Sequence, residues 1–237
     1  MRIIRNERRI RVARAIGQYA TLGGLLTLLT GLVISFARPD WVMLMVASLP
    51  LGYALSVVGG FFTDRYVGPL AHHDALVAAL KGLDHTHLLL QYVLPAAHVL
   101  VEPGGCTVFV VKTQGGQVTY QEENGRWKHE QRSKFFRQFA GQEALGAPDL
   151  EAERQVRKLE RWLNQRLPDV EVPVRGAIVF VNPDVALEAD ASPVPAFYGK
   201  KVKAWLRGPG KLKPLPDPTY HRLTGVLGSG EAGNNSG

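Results

Sequence analysis

The sequence predicts an α/β protein built in two parts, an N-terminal transmembrane helical hairpin followed by a domain in which helices cover a mixed sheet. Two uncharged stretches, residues 15–37 and 41–63, are 23 residues long each and stand three residues apart. Beyond them, short runs rich in Val, Phe and Thr are punctuated by Pro-Gly-Gly and Asn-Gly turns, and the segment 149–167 repeats its apolar residues at helical spacing. With 237 residues, 46% hydrophobic and 21% charged, the chain is neither disordered nor fibrous. Its single cysteine, Cys106, excludes a disulfide framework and a multi-cysteine zinc cluster.

A hydrocarbon core of roughly 30 Å takes about 20 helical residues, so each uncharged stretch is long enough to span. Backbone in lipid must satisfy its own hydrogen bonds, which makes both stretches helices. Only Arg38-Pro39-Asp40 separates them, so they form a tight antiparallel hairpin; Pro39 stops the first helix and Trp41 suits an interfacial anchor. The first stretch is too long, and too closely followed by a second, to be a cleaved signal peptide. Gly23, Gly24, Gly31, Gly52, Gly59 and Gly60 let the helices approach closely. Neither stretch carries an acidic or basic side chain, which favours an anchor over a channel or transporter.

Charge is distributed unevenly. Residues 1–14 hold six arginines against Glu7, and residues 200–213 hold six Lys and Arg without an acid, whereas 65–199 is slightly acidic. The basic total is therefore a property of two short segments and is weak grounds for nucleic-acid binding. The positive-inside rule keeps the basic segment 1–14 in the cytoplasm, and two spans return the rest of the chain to the same side. The expected localisation is an integral, two-span membrane protein with both termini cytoplasmic, in a plasma membrane taken to be prokaryotic. The bilayer is the expected partner of the hairpin. For the run 200–213 the readings are a solvated helix face, which leads, a contact with anionic lipid, or a nucleic-acid tail.

The domain reads in order as a helix over 73–81 closed by Gly82, a strand over 87–94 broken by Pro95, and strands 97–102 and 106–112 joined by Pro103-Gly104-Gly105. A strand over 117–121 leads to the Asn124-Gly125 turn. The helix 149–167 carries Ala152, Val156, Leu159 and Leu163 on one face, with Asp149 as its cap. Residues 174–181 form a buried strand, a last helix covers about 199–206, and disorder is expected from 208 to 237.

At residues 103–112, PGGCTVFVVK, the pattern resembles the nuclease-related domain (NERD) family, whose fold is similar to restriction-endonuclease-like PD-(D/E)-x-K nucleases. The resemblance covers about 70–207 and rests on five features: a helix ending in LKGLD, the HVLVEPGG strand and turn, the TVFVVK strand, GRW, and the Pro148-led helix before IVFVNP. The family reads Ile-Asp-His before its turn and Glu-x-Lys or Asp-x-Lys at the end of the next strand. Here His98 and the turn match, but the acidic positions are Ala97 and Val110, and Lys112 alone remains as a catalytic candidate. The family's Asn-Pro-x-x-Gln is altered to Ala147-Pro148-Asp149-Leu150-Glu151. Hydrolysis of a phosphodiester by this route needs carboxylates that hold a divalent metal, and Lys112 cannot recruit Mg²⁺ by itself. The expectation is a catalytically degenerate pseudo-enzyme, serving as a binding or structural module towards nucleic acid or a protein partner, with no cofactor and no metal. The alternative is a divergent nuclease whose carboxylates have moved, which would restore Mg²⁺.

Glu102 falls on the opposite strand face from position 97, and Glu122 and Glu123 belong to an exposed hairpin tip, so none of the three is expected to replace the missing acids. His72, His73, His85, His87 and His98 match no ligand-spacing template and are expected in turns or solvent. Cys106 is expected to be a small buried hydrophobe.

Overall fold

The computed structural model describes residues 1–131 and 144–229. Residues 7–72 form one body; residues 1–6, 73–130 and 145–229 form another. The first consists of the two apolar stretches as helices α1 (Glu7–Ala37) and α2 (Val42–Tyr66). Both are long and apolar enough to cross a membrane. Leu25, Leu29, Leu32, Phe36 and Met43 are exposed, whereas the core helices of a water-soluble protein would bury such residues.

Small residues form the seam of this pair. Gly17, Gly24 and Gly31 recur at every seventh position of α1 and are buried, opposite Ser48, Gly52 and Gly59 of α2. A Cβ added at Gly24 would lie 2.7 Å from Ser56 Oγ and 2.9 Å from the Gly52 carbonyl oxygen. The seven-residue spacing keeps one face of each helix turned to the other. Gly23, by contrast, sits at the margin, its nearest neighbour across the pair being Leu55 at 3.9 Å. Hydroxyls within the pair bond to their own helices: Thr21 donates to Gly17 O at 2.8 Å and Thr27 to Gly23 O at 2.7 Å.

The second body is built on a six-stranded sheet. Its strands are β1 (Arg2–Arg5), β2 (Leu88–Gln91), β3 (His98–Glu102), β4 (Gly105–Lys112), β7 (Val174–Phe180) and β9 (Ala196–Tyr198), adjacent in that order. All run in one direction except β3. A three-stranded sheet places β5 (Gly116–Gln121) between β6 (Arg126–Glu130) and β8 (Val185–Glu188). The helices are α3 (His72–Leu80), α4 (Pro148–Arg166), α5 (Lys201–Arg207) and α6 (Asp217–Ser229). The expected mixed-sheet α/β domain is therefore present.

Strands β2, β3 and β4 are buried along their whole length because both faces of the sheet are covered. The period of two sorts their side chains. Leu90, Val99, Val101, Cys106 and Val108 pack with Leu159 and Leu163 of α4 and with Leu223 and Leu227 of α6. Leu89, Leu100, Phe109 and Val111 pack with Leu76 and Leu80 of α3 and with Val202 and Leu206 of α5.

Four expectations need correction. Residues 2–5, read as part of the basic N-terminal segment 1–14, form strand β1 parallel to β2. The strand expected over 87–94 stops at Gln91, because Tyr92 takes φ 60° and donates its N–H to the Ala97 carbonyl at 2.7 Å. Asp149 does not cap α4: Ala147 stands at the N-cap, Pro148 opens the helix, and Asp149 is buried within the first turn. The disorder expected from 208 onward fails over 217–229, where α6 buries Leu223 and Leu227; residues 230–237 lie outside the described part. Strands β8 and β9 were not anticipated.

A polar turn ties α6 to the sheet. Tyr220 donates its hydroxyl to the Thr86 carbonyl at 2.8 Å, while Asp84 accepts from the Thr86 N–H at 3.1 Å and lies 2.7 Å from His87 Nδ1. Hydrogen bonds from the Thr86 hydroxyl and from His87 pull the Asp84 carboxyl down to about 2. A carboxyl depressed on folding contributes stability above its ordinary range and loses it as pH falls towards the folded value. The wild-type melting temperature should therefore fall more steeply than that of Asp84→Asn between about pH 4 and pH 2. Parallel slopes in thermal melts would refute this.

Candidate functional site

The site the sequence singled out lies where β4 ends and α4 begins. Period-two alternation turns Lys112 to the same face as Cys106, Val108 and Val110, and Lys112 is buried with only 4% of its side chain exposed. An ammonium so placed needs a partner. Glu151, in the first turn of α4, supplies it: Oε2 lies 2.9 Å from Lys112 Nζ. Glu151 Oε1 accepts from Gln155 Nε2 at 3.4 Å, and Gln155 Oε1 accepts the Ala97 N–H at 3.1 Å. One polar chain thus links β4, α4 and the entry to β3.

The structure brings together three positions that the sequence placed at the site: Ala97, Lys112 and the start of the Pro148-led helix. It does not supply acids at the expected strand positions. Val110 packs with Val118, Ile178 and Phe180, and Trp127 of the GRW segment covers this cluster with its ring 6.1 Å from Phe180. Asp149 is buried two residues before Glu151, and its Oδ1 has no hydrogen-bond partner among the described residues. Asn182, where β7 ends, donates to the Thr113 carbonyl at 2.9 Å and so joins the exits of β4 and β7.

Glu151 and Gln155 were not picked out from the sequence. Their spacing of four on one helix puts both on one face, and a lysine closing a buried strand demands an acid; the two signals together point to them. The separation of 39 positions between Lys112 and Glu151 hid the pairing.

The other candidates separate from this site. His98 points to the opposite face, its ring 4.9 Å from Tyr92. His72, His73 and His98 are buried, not solvated as expected, because α3 covers that face; His85 is exposed and His87 sits in the Asp84 turn. Glu102 is buried at the other end of the sheet, where it accepts from Thr107 and pairs with Arg175 at 3.1 Å. The Arg175 guanidinium also lies 4.2 Å over the Trp205 ring. Glu122 and Glu123 are exposed in the β5–β6 turn. Cys106 is fully buried, and burial followed by the nearby Glu102 charge pushes its thiol up to about 12.

A divalent metal of the kind the resemblance implies needs several hard oxygen ligands. Among the described residues, no three His, Cys, Asp or Glu side chains converge on a point that would hold one. The cluster at Lys112 is an ion pair extended by an amide, and that donor set does not fit a metal.

Comparison with known proteins agrees with this architecture. The family model described as nuclease-related domain matches residues 72–181, from the start of α3 to just past β7. Searches of curated proteins and of solved structures return no match. Residues 72–181 are thus a nuclease-related domain (NERD), carried behind two helices long and apolar enough to cross a membrane.

Proposed function

We propose that this protein is a membrane-anchored, catalytically degenerate nuclease-related domain that acts as a binding or structural module. One observation carries the reading: the buried Lys112 ammonium is paired with Glu151 on the neighbouring helix, while Ala97 and Val110 occupy the strand positions where the resemblance calls for metal-holding carboxylates. Lys112, the retained family position, then staples β4 to α4. The restriction-endonuclease-like fold belongs to the same proposal, supported by β3 and β4 pairing antiparallel and α4 crossing over to β7, parallel to β4. The partner is nucleic acid or a protein, and no cofactor is required.

The hairpin is the anchor, with residues 1–5 and the domain on one side of a plasma membrane of prokaryotic type. Two supports are independent of each other. The arginines Arg8, Arg9, Arg11 and Arg14 precede the apolar part of α1, and each would resist translocation. Strand β1, ahead of α1, pairs with β2, beyond α2, which supports placing both in one compartment. An exported phosphatase fused after residue 229 should be inactive, whereas a fluorescent protein there should be bright.

Asp149 motivates a second reading, in which relocated carboxylates at 149 and 151 hold Mg²⁺ beside Lys112. The purified full chain in detergent, given Mg²⁺ or Mn²⁺ and either DNA or RNA, should cleave neither. Cleavage abolished by both Asp149→Asn and Lys112→Ala would replace the first reading with the second.

A further inference from the structure

The family match begins at residue 72, yet the sheet contains a strand from before both apolar helices. Strand β1 is firmly seated in the domain. Its register pairs Arg2 with Leu88 through Arg5 with Gln91, and the ladder extends to the Asn6 N–H on the Gln91 carbonyl at 3.0 Å. Ile4 packs on the α4 face of the sheet and Met1 on the α3 face. Arg5 Nη1 pairs with Asp74 Oδ1 of α3 at 3.0 Å. The helical pair is therefore inserted within the domain, between its first strand and its first helix.

The joints are short. Asn6 alone separates β1 from α1, so the strand end and the first helical turn cannot move apart. At the return, residues 67–71 separate α2 from α3 and reach at most about 20 Å even when extended. Because Arg5 touches Asp74, chain entry and chain exit lie at one corner of the sheet. If α1 and α2 splay further than residues 67–71 can reach, either the strand or the helix must release. β1 is the weaker holder, being a four-residue strand on the edge of the sheet with Arg2 and Ile3 exposed.

We propose that packing of the α1–α2 pair and docking of β1 are one coupled equilibrium: closure of the hairpin holds β1 on the sheet, and separation of the helices strips it off and bares the β2 edge. This is a conformational device by which the state of the anchor reaches the domain. It rests on the covalent joints and the strand pairing and is independent of whether Lys112 is catalytic. An uncovered β2 edge would present the unpaired backbone groups that template strand addition.

The test uses the full chain in lipid nanodiscs, with amide hydrogen exchange read by mass spectrometry over residues 2–5 and 88–91. Gly24→Leu, which pushes the helices apart, should speed exchange there at least tenfold while the β4–β7 amides stay protected. Ile4→Asp, which weakens the docking of β1 directly, should do the same. A ten-residue Gly-Ser insertion between Asn6 and Glu7 should reduce the Gly24→Leu effect to within twofold, since slack breaks the tether. Where Gly24→Leu does not yield folded protein, Gly24→Ala, read the same way, replaces it. Unchanged exchange of residues 2–5 in the hairpin variant, or persistence of the effect across the insertion, would each overturn the proposal.

Discussion

Lys112→Met is expected to lower the unfolding free energy of the full chain by about 3 kcal/mol, and Lys112→Met/Glu151→Leu to recover most of that loss. Removing one partner of a buried ion pair leaves the other charge without compensation, at about 3–5 kcal/mol. Here the figure lies at the low end, because the Glu151 side chain is 25% exposed and keeps its Gln155 contact. Replacing both partners by apolar groups of similar volume removes the uncompensated charge, and Val110 and Ala152 provide apolar surroundings nearby. Denaturant titration of both variants decides the matter. A stable single variant would show that Lys112 does not act as a staple, and that would reopen a catalytic role.

The extent to which the chain was legible depended on where each signal was local. Strands β3 and β4 were readable because Pro103-Gly104-Gly105 separates two β-branched runs whose residues are buried on both faces. The helix α4 was readable because Ala152, Leu159 and Leu163 do lie in the core on one stripe. Strand β1 was not: Arg2-Ile3-Ile4-Arg5 stands among arginines, and only β2, more than 80 residues away, makes it a strand. Helix α6 was missed for a different reason. Pro214, Pro216, Pro218 and Gly225 give 208–229 the composition of a tail, although Tyr220, Leu223 and Leu227 keep helical spacing. At the site, the loss of acids from positions 97 and 110 was visible, whereas the gain of Glu151 as a partner was read only as a damaged motif. A pair formed between a strand end and a helix start has no sequence signature shorter than the loop between them.

Helix α6 gives the sharpest contrast between the two readings of the same residues. If 208–229 were a disordered tail, Leu223→Ala would leave stability unchanged. In the structure Leu223 is fully buried among Leu159, Leu163 and Val101 on the α4 face of the sheet. Truncating a buried leucine removes its transfer free energy and leaves a cavity that the surroundings only partly refill, together about 2–5 kcal/mol. Leu227→Ala should fall in the same range, since Leu227 is equally buried in the same cluster. Thr224→Ala, on the same helix, removes one methyl and a hydroxyl that bonds to the Tyr220 carbonyl at 3.0 Å, and should remain within about 1 kcal/mol of wild type. Denaturant unfolding of the three variants in detergent separates the cases, because a tail predicts three superimposable curves and a core helix predicts two shifted midpoints beside one that barely moves. Superimposable curves would remove α6 from the domain, and with it the covering of the α4 face of the sheet beside β2 and β3.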